Sequence, residues 1–238
     1  MGEEQFEFQR ARRPEQVDRR REAILTAAAA ALDAQPFREV TLAAIAKRAG
    51  LVASGVLRYF DSREAIFSEV LGTDIDDWLE DLHHELGAPQ PDLPRHEAAT
   101  RFAAACARTA AARPRLCELL SVSGSILEHN VTVDSAKAFK QRNLRQLQDL
   151  ADLLRAHVPD VPAGAAMQFA TAAPALVTGT WPHARPSEAV AKAIDELAYP
   201  SVATGYTRYL ATSLANQLVG AIVLAGSGPS LASLNGIT

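Results

Sequence analysis

The side chains that could do chemistry in this chain fall into three groups. Cys106 and Cys117 are soft metal ligands, with His83, His84, His96 and His129 available to join them. Glu80 and His83 stand three residues apart, which is half of the Glu-x-x-His pattern of a di-iron bundle. Thr41, Arg58, Tyr59 and Arg63 supply hydroxyls and guanidinium groups within one basic stretch, the kind of inventory that meets a polyanion. The first two groups are incomplete. The cysteines and histidines lack the close CxxC or HxxxH spacing of a structural zinc site, and cysteines scattered on alanine-rich helices usually pack as small apolar groups. No second Glu-x-x-His, Gly-rich phosphate loop or nucleophile elbow occurs. The expectation is therefore a protein that is not an enzyme, with no catalytic residue, metal or cofactor.

Charge distribution favours the third group. The 238 residues carry a net charge of −4, yet residues 10–63 hold eleven Lys and Arg against six Asp and Glu. Acidic residues follow at once, with Asp74, Asp76, Asp77, Glu80, Asp81 and Glu85. A basic module joined to an acidic body suggests a polyanion-facing part on a differently employed remainder. The charged N-terminus does not read as a signal peptide, and "LVGAIVLAG" is too short to cross a bilayer. The expected location is the cytoplasm, with the cysteines reduced.

The elements that would position these residues are all helical. Alanine and leucine dominate, and no alternating run bounded by turn residues marks a strand. A loose start of about nine residues precedes a first helix predicted over 15–34, with Ile24, Ala28 and Leu32 on its buried face. Thr41 caps a second helix that Gly50 ends, and a third runs from Ala53 to Phe60. Asp61 or Ser62 caps a fourth reaching His84, Asp61 and Glu64 having capping-box spacing. "GAPQPDLPR" is a linker. Further helices are predicted over 94–112, 114–129 with a left-handed cap at Asn130, 132–157, 162–181 with a kink at Pro174, and 202–224. Three parts follow: residues 10–62, residues 63–225, and a flexible tail over 226–238.

A short helix, a tight glycine turn and a second short helix make the helix-turn-helix pattern. In "VTLAAIAKRAGLVASGVLRYFDSREAIFSEVL" that pattern has a basic helix before it, Tyr59-Phe60 at its end and a capped helix after it. This segment resembles the DNA-binding segment of the TetR family of transcriptional regulators. The match is specific over about residues 20–72 and architectural beyond. The resemblance implies an all-α fold, with an N-terminal three-helix domain containing the helix-turn-helix and a larger C-terminal helical domain for ligand binding and dimerisation. It implies a homodimer on a double-stranded DNA operator, released by a small-molecule effector, with no membrane involved. Phosphate contacts carry over to Thr41, Tyr59 and Arg63, and groove-facing positions to Ala53, Ser54, Gly55 and Arg58. Two positions depart from the pattern: Val52 stands where a capping Ser or Thr is usual, a loss of about 1 kcal/mol, and Asp61 where proline is common. With so small a face at Ala53, Ser54 and Gly55, base readout is expected to rest on Arg58 and on DNA shape.

For the effector, polar or aromatic residues on apolar helix faces are the candidates: Phe102, Cys106, Cys117, Ser121, Glu128, Phe139 and Trp181. The last two long helices, rich in Ala, Gly and Leu, could form a four-helix dimer interface or simply complete a monomer core. A reading of a different class stays open, a helical ligand-binding or adaptor protein that has lost operator binding.

Overall fold

The structure, a computed structural model, describes residues 3–226, with side chains described over 15–223; the expected flexible tail beyond Gly226 lies outside the described residues. Every regular element among them is helical: α1 (Glu3–Ala34), α2 (Leu42–Arg48), α3 (Ala53–Val56), α4 (Arg63–Leu86), α5 (Arg95–Ala111), α6 (Pro114–Val122), α7 (Val133–His157), α8 (Ala163–Ala184), α9 (Glu188–Glu196) and α10 (Tyr206–Gly226). A π-helical turn, Ser123–Leu127, follows α6. The chain divides into two compact units, one holding residues up to Thr73 together with Val122–Lys140, the other Asp74–Ser121 with the residues from Gln141 onward. The first unit is thus discontinuous in sequence. Helices α4 and α7 each begin in it and end in the second.

In the first unit, α1 packs on α2 and α2 on α3. The buried face contains Ile24, Ala28 and Leu32 of α1 with Ile45 and Ala46 of α2, as their spacing dictates. Helix α1 begins well before Glu15, at Glu3, so the expected loose start is helical. In the second unit, α10 packs on α5 and α8. Leu210, Leu214, Leu218 and Ile222 of α10 are buried with Phe102 and Cys106 of α5 and Phe169, Ala173 and Val177 of α8. Helix α8 continues past Pro174.

Four local expectations need correction. The helix after Pro114 gives way at Ser123, where the Glu128 amide bonds five residues back to the Ser123 carbonyl at 3.2 Å; Ser-Gly-Ser is a poor helix former and tolerates the wider turn. Asn130 is not left-handed, the non-glycine residues with positive φ among the described residues being Asp160 and Ala198; its carbonyl instead accepts from the Ser62 hydroxyl. Helix α9, capped by Ser187, is absent from the sequence expectation, because it exposes most of its surface and buries no residue. Finally, no capping box forms at α4. Ser62 is its cap, accepting from the Ala65 amide at 3.0 Å, which frees Asp61 and Glu64 for other partners.

Candidate nucleic-acid interface and effector cavity

The turn between α2 and α3 is built by its backbone. The Leu51 amide donates to Ala46 O at 2.8 Å and the Gly50 amide to Lys47 O at 3.3 Å, the paired bonds of a Schellman ending. Gly50 sits at φ +68, a conformation that costs any other residue. Helix α3 then completes little more than a turn. Beyond Val56 the chain keeps turning tightly, with the Tyr59 and Phe60 amides both donating to Val56 O, at 2.9 and 3.2 Å. Val56 and Phe60 point into the unit at 0% and 4% exposure, and Arg21 lies over the Phe60 ring at 4.2 Å.

The expected DNA contacts are brought to one region of this unit in different states. Thr41 caps α2, its oxygen accepting from the Ala44 amide at 3.1 Å, and remains exposed. Ser54 and Arg58 are exposed, whereas Ala53, Gly55 and Tyr59 are half-buried. Arg63 is more occupied than its sequence position suggests: its Nη1 donates to Val40 O at 3.0 Å, while Nε and Nη2 donate to Glu64 at 3.1 and 2.7 Å. It therefore ties the start of α4 to the residue before Thr41. Of the α1 arginines, Arg19 and Arg20 are exposed, but Arg21 turns inward to donate to the Tyr59 carbonyl and to Glu69. Two exposed apolar residues flank α3: Val52 at 70% exposure, noted in the sequence only for the missing capping hydroxyl, and Leu57 at 51%, which the sequence reading did not single out. Asp61 accepts from Ser135 and Thr132, each at 2.6 Å, and these two bonds, led by Ser135, hold its carboxyl below the usual range.

The second unit contains a cavity of about 60 Å³. Ile75 and Trp78 of α4, Cys106 of α5, Leu147 and Leu150 of α7, and Pro174 of α8 are in its wall, and Asn143 and Gln146 add two carboxamides. Gln146 is oriented by its Nε2 donating to Asp76. No side chain charged at neutral pH lines it. Cys106 belongs to the expected effector set; its fellows stand elsewhere. Phe102 packs on Phe169 at 6.0 Å, and Trp181 on Tyr206 at 5.3 Å. The Cys117 thiol donates to Ala110 O, and the Ser121 hydroxyl to Glu118 O at 2.7 Å. Glu128 and Phe139 lie in the first unit, Glu128 pairing with Lys140 at 2.6 Å. Burial raises both cysteine thiols, Cys117 to about 12.

Two family matches cover most of the chain: residues 24–70 match "Bacterial regulatory proteins, tetR family", and residues 72–224 match "Tetracyclin repressor-like, C-terminal domain". The chain belongs to the TetR family of transcriptional regulators. Solved structures resemble it in fold. A transcriptional regulator from Rhodococcus sp. Rha1 is 19% identical, with 87% of this chain and 96% of that one covered at a TM-score of 0.52. The TetR-family regulator PfmR from Thermus thermophilus is 15% identical over 82% of this chain and 96% of that one, at a TM-score of 0.47. No curated protein matches. As a TetR regulator the chain keeps the helix-turn-helix while changing two of its parts. Val52 enters α3 in extended backbone with no side-chain cap bond, as the missing hydroxyl requires. Asp61, in the place of the common proline, has become the acceptor for Thr132 and Ser135 ahead of and within α7. Among the described residues no helix is long and apolar enough to cross a membrane.

Proposed function

We propose that this TetR regulator is a homodimeric repressor that leaves its operator when a small apolar molecule enters the second unit. The observation that carries the reading is the outward pair on α3 and the turn after it: Ser54 and Arg58 are exposed at i and i+4 while Val56 and Phe60 anchor inward. Arg58 so placed can take guanine O6 and N7 bidentately, with Ala53, Ser54 and Gly55 small enough to let the backbone approach the bases. Thr41 can still donate its hydroxyl proton to a phosphate, and Tyr59 its own. Arg63 has five N–H groups, more than its internal bonds use, so it can reach a phosphate while holding Val40. In this reading residues 10–62 are the DNA-binding domain and 63–225 the effector and dimerisation domain. Exposed Val190, Leu197, Tyr199, Tyr209 and Val223 on and after α9 and along α10 support a second copy as their cover.

The effector would be uncharged, because the wall of the cavity offers a charge no counterion, and the Asn143 and Gln146 amides would orient one polar group. A cavity of about 60 Å³ is far below the several hundred typical of ligand sites, so entry must displace the wall. Ile75 and Trp78 are on α4, and Asn143, Gln146, Leu147 and Leu150 on α7; these are the two helices that start in the DNA-binding unit. The effector shifts operator binding only as far as it prefers the displaced arrangement. Fluorescence anisotropy on duplexes from the DNA flanking the gene, across a salt series and against random competitor, tests the reading. Expected are competitor-resistant binding with a steep salt slope, an Arg58→Ala loss confined to the operator, and a Tyr59→Phe loss equal on all sequences. Binding no tighter than to random DNA would leave an adaptor as the better description.

A further inference from the structure

We propose that Leu57, assisted by Val52, reads thymine methyl groups in the major groove; the inference rests on the DNA-binding reading above. Ser54 of α3 and Leu57 at its C-cap stand at i and i+3, the Leu57 amide still donating to Ala53 O at 3.2 Å, and Arg58, in the turn directly after them, is exposed as they are. Leu57 is 51% exposed, although Val56 beside it is fully buried. At the entrance to the helix Val52 is 70% exposed, and its extended backbone receives no capping bond from its own side chain. A position suited to a capping hydroxyl thus carries an isopropyl group in solvent, which does nothing for the isolated helix.

The chemistry around these two residues selects the occupant. Between Leu51 and Phe60 there is no acidic residue, and the last turn of α2 adds exposed Lys47 and Arg48. A surface of two branched apolar groups beside a hydroxyl and a guanidinium, with no acid from Leu51 to Phe60, complements a base-pair edge that presents acceptors beside a methyl group. The major groove is where such an edge exists: guanine offers O6 and N7, and thymine offers O4 with its C5-methyl. Apolar contact with that methyl supplies base discrimination that Ala53, Ser54 and Gly55 cannot supply by hydrogen bonding. Arg58 and Leu57, adjacent in the chain, would then read neighbouring base pairs.

Removing the methyl from the DNA isolates this contact. An operator is enriched from a randomised duplex library with the full-length chain, each thymidine in it is replaced singly by deoxyuridine, and anisotropy gives the affinities. Wild-type protein is expected to lose about fourfold at one or two thymidines per half-site, the worth of one buried methyl group. Leu57→Ala, or Val52→Ala at the other position, should bind the thymidine and deoxyuridine versions equally. Both side chains are exposed, and a thermal melt matching wild type confirms that each variant folds. Indifference of the wild type to every deoxyuridine, or a deoxyuridine loss that persists undiminished in both variants, would overturn the inference while leaving the regulator intact. Failure to enrich any sequence over random would overturn both.

Discussion

Removing Arg115 should destabilise the second unit far more than removing it together with its partner. Arg115 donates through Nε to Asp74 Oδ2 at 2.8 Å and through Nη2 to Oδ1 at 2.6 Å, a bidentate pair that ties α6 to α4. The Asp74 side chain is 4% exposed and that of Arg115 25%. In Arg115→Met a carboxylate stays buried with its principal cation gone, a situation that costs about 3–5 kcal/mol in buried pairs. Because the Arg115 side chain is already 25% exposed, solvent can reach the vacated place, and the lower end, about 3 kcal/mol, is expected. For a chain of this size that lowers Tm by roughly 6–12 °C. The paired variant Asp74→Leu with Arg115→Met removes both charges and should recover most of the loss, since apolar replacements of buried pairs are often neutral. Urea and thermal unfolding of wild type, both single variants and the double variant measure the coupling. An Arg115→Met loss under about 1 kcal/mol, or a double variant no better than the single, would refute the reasoning.

Three further expectations follow from particular residues. Gly50→Ala should lower stability by about 1 kcal/mol through backbone strain alone, since a Cβ there would meet no atom within 4 Å; an unchanged urea midpoint would show that the turn is not held at φ +68. Phe102→Ala, at 0% exposure, should cost about 3–5 kcal/mol with or without effector, and a loss seen only in effector affinity would return Phe102 to the pocket. Burial, with the charges of His83 and Arg101, depresses the His157 imidazole below its ordinary 6.5. The folded state then binds fewer protons, so the stability tied to His157 is full above about pH 6.5 and is lost as pH falls toward the folded value; His157→Phe should flatten the Tm profile between pH 7.5 and 5.5.

Much of the architecture was legible because it follows from local rules. The stripe of Ile24, Ala28 and Leu32, the glycine at position 50 and the serine at position 62 each specify an element with their near neighbours. The DNA-facing unit was legible for the same reason, its motif lying within about 25 consecutive residues. The cavity of the second unit was not. Its wall draws on α4, α5, α6, α7, α8 and α10, and the polar groups in it are Asn143 and Gln146, residues that on a helix of strongly polar sequence look like ordinary surface. Of the seven residues chosen for polarity on apolar faces, Cys106 is the one that lines this cavity.

The sequence by itself determined an all-α chain, a helix-turn-helix at residues 41–60 and family membership, because periodicity, caps and turn residues act over a few positions. Only the tertiary structure decided what long-range partners decide. Arg21 and Arg63 became internal struts, and Asp61 turned from a helix cap into the acceptor for Thr132 and Ser135, some seventy residues on. Leu57 was left facing outward while Val56 was buried. A charged or apolar side chain takes the best partner within reach, and which partners are within reach is settled by packing between segments distant in the chain.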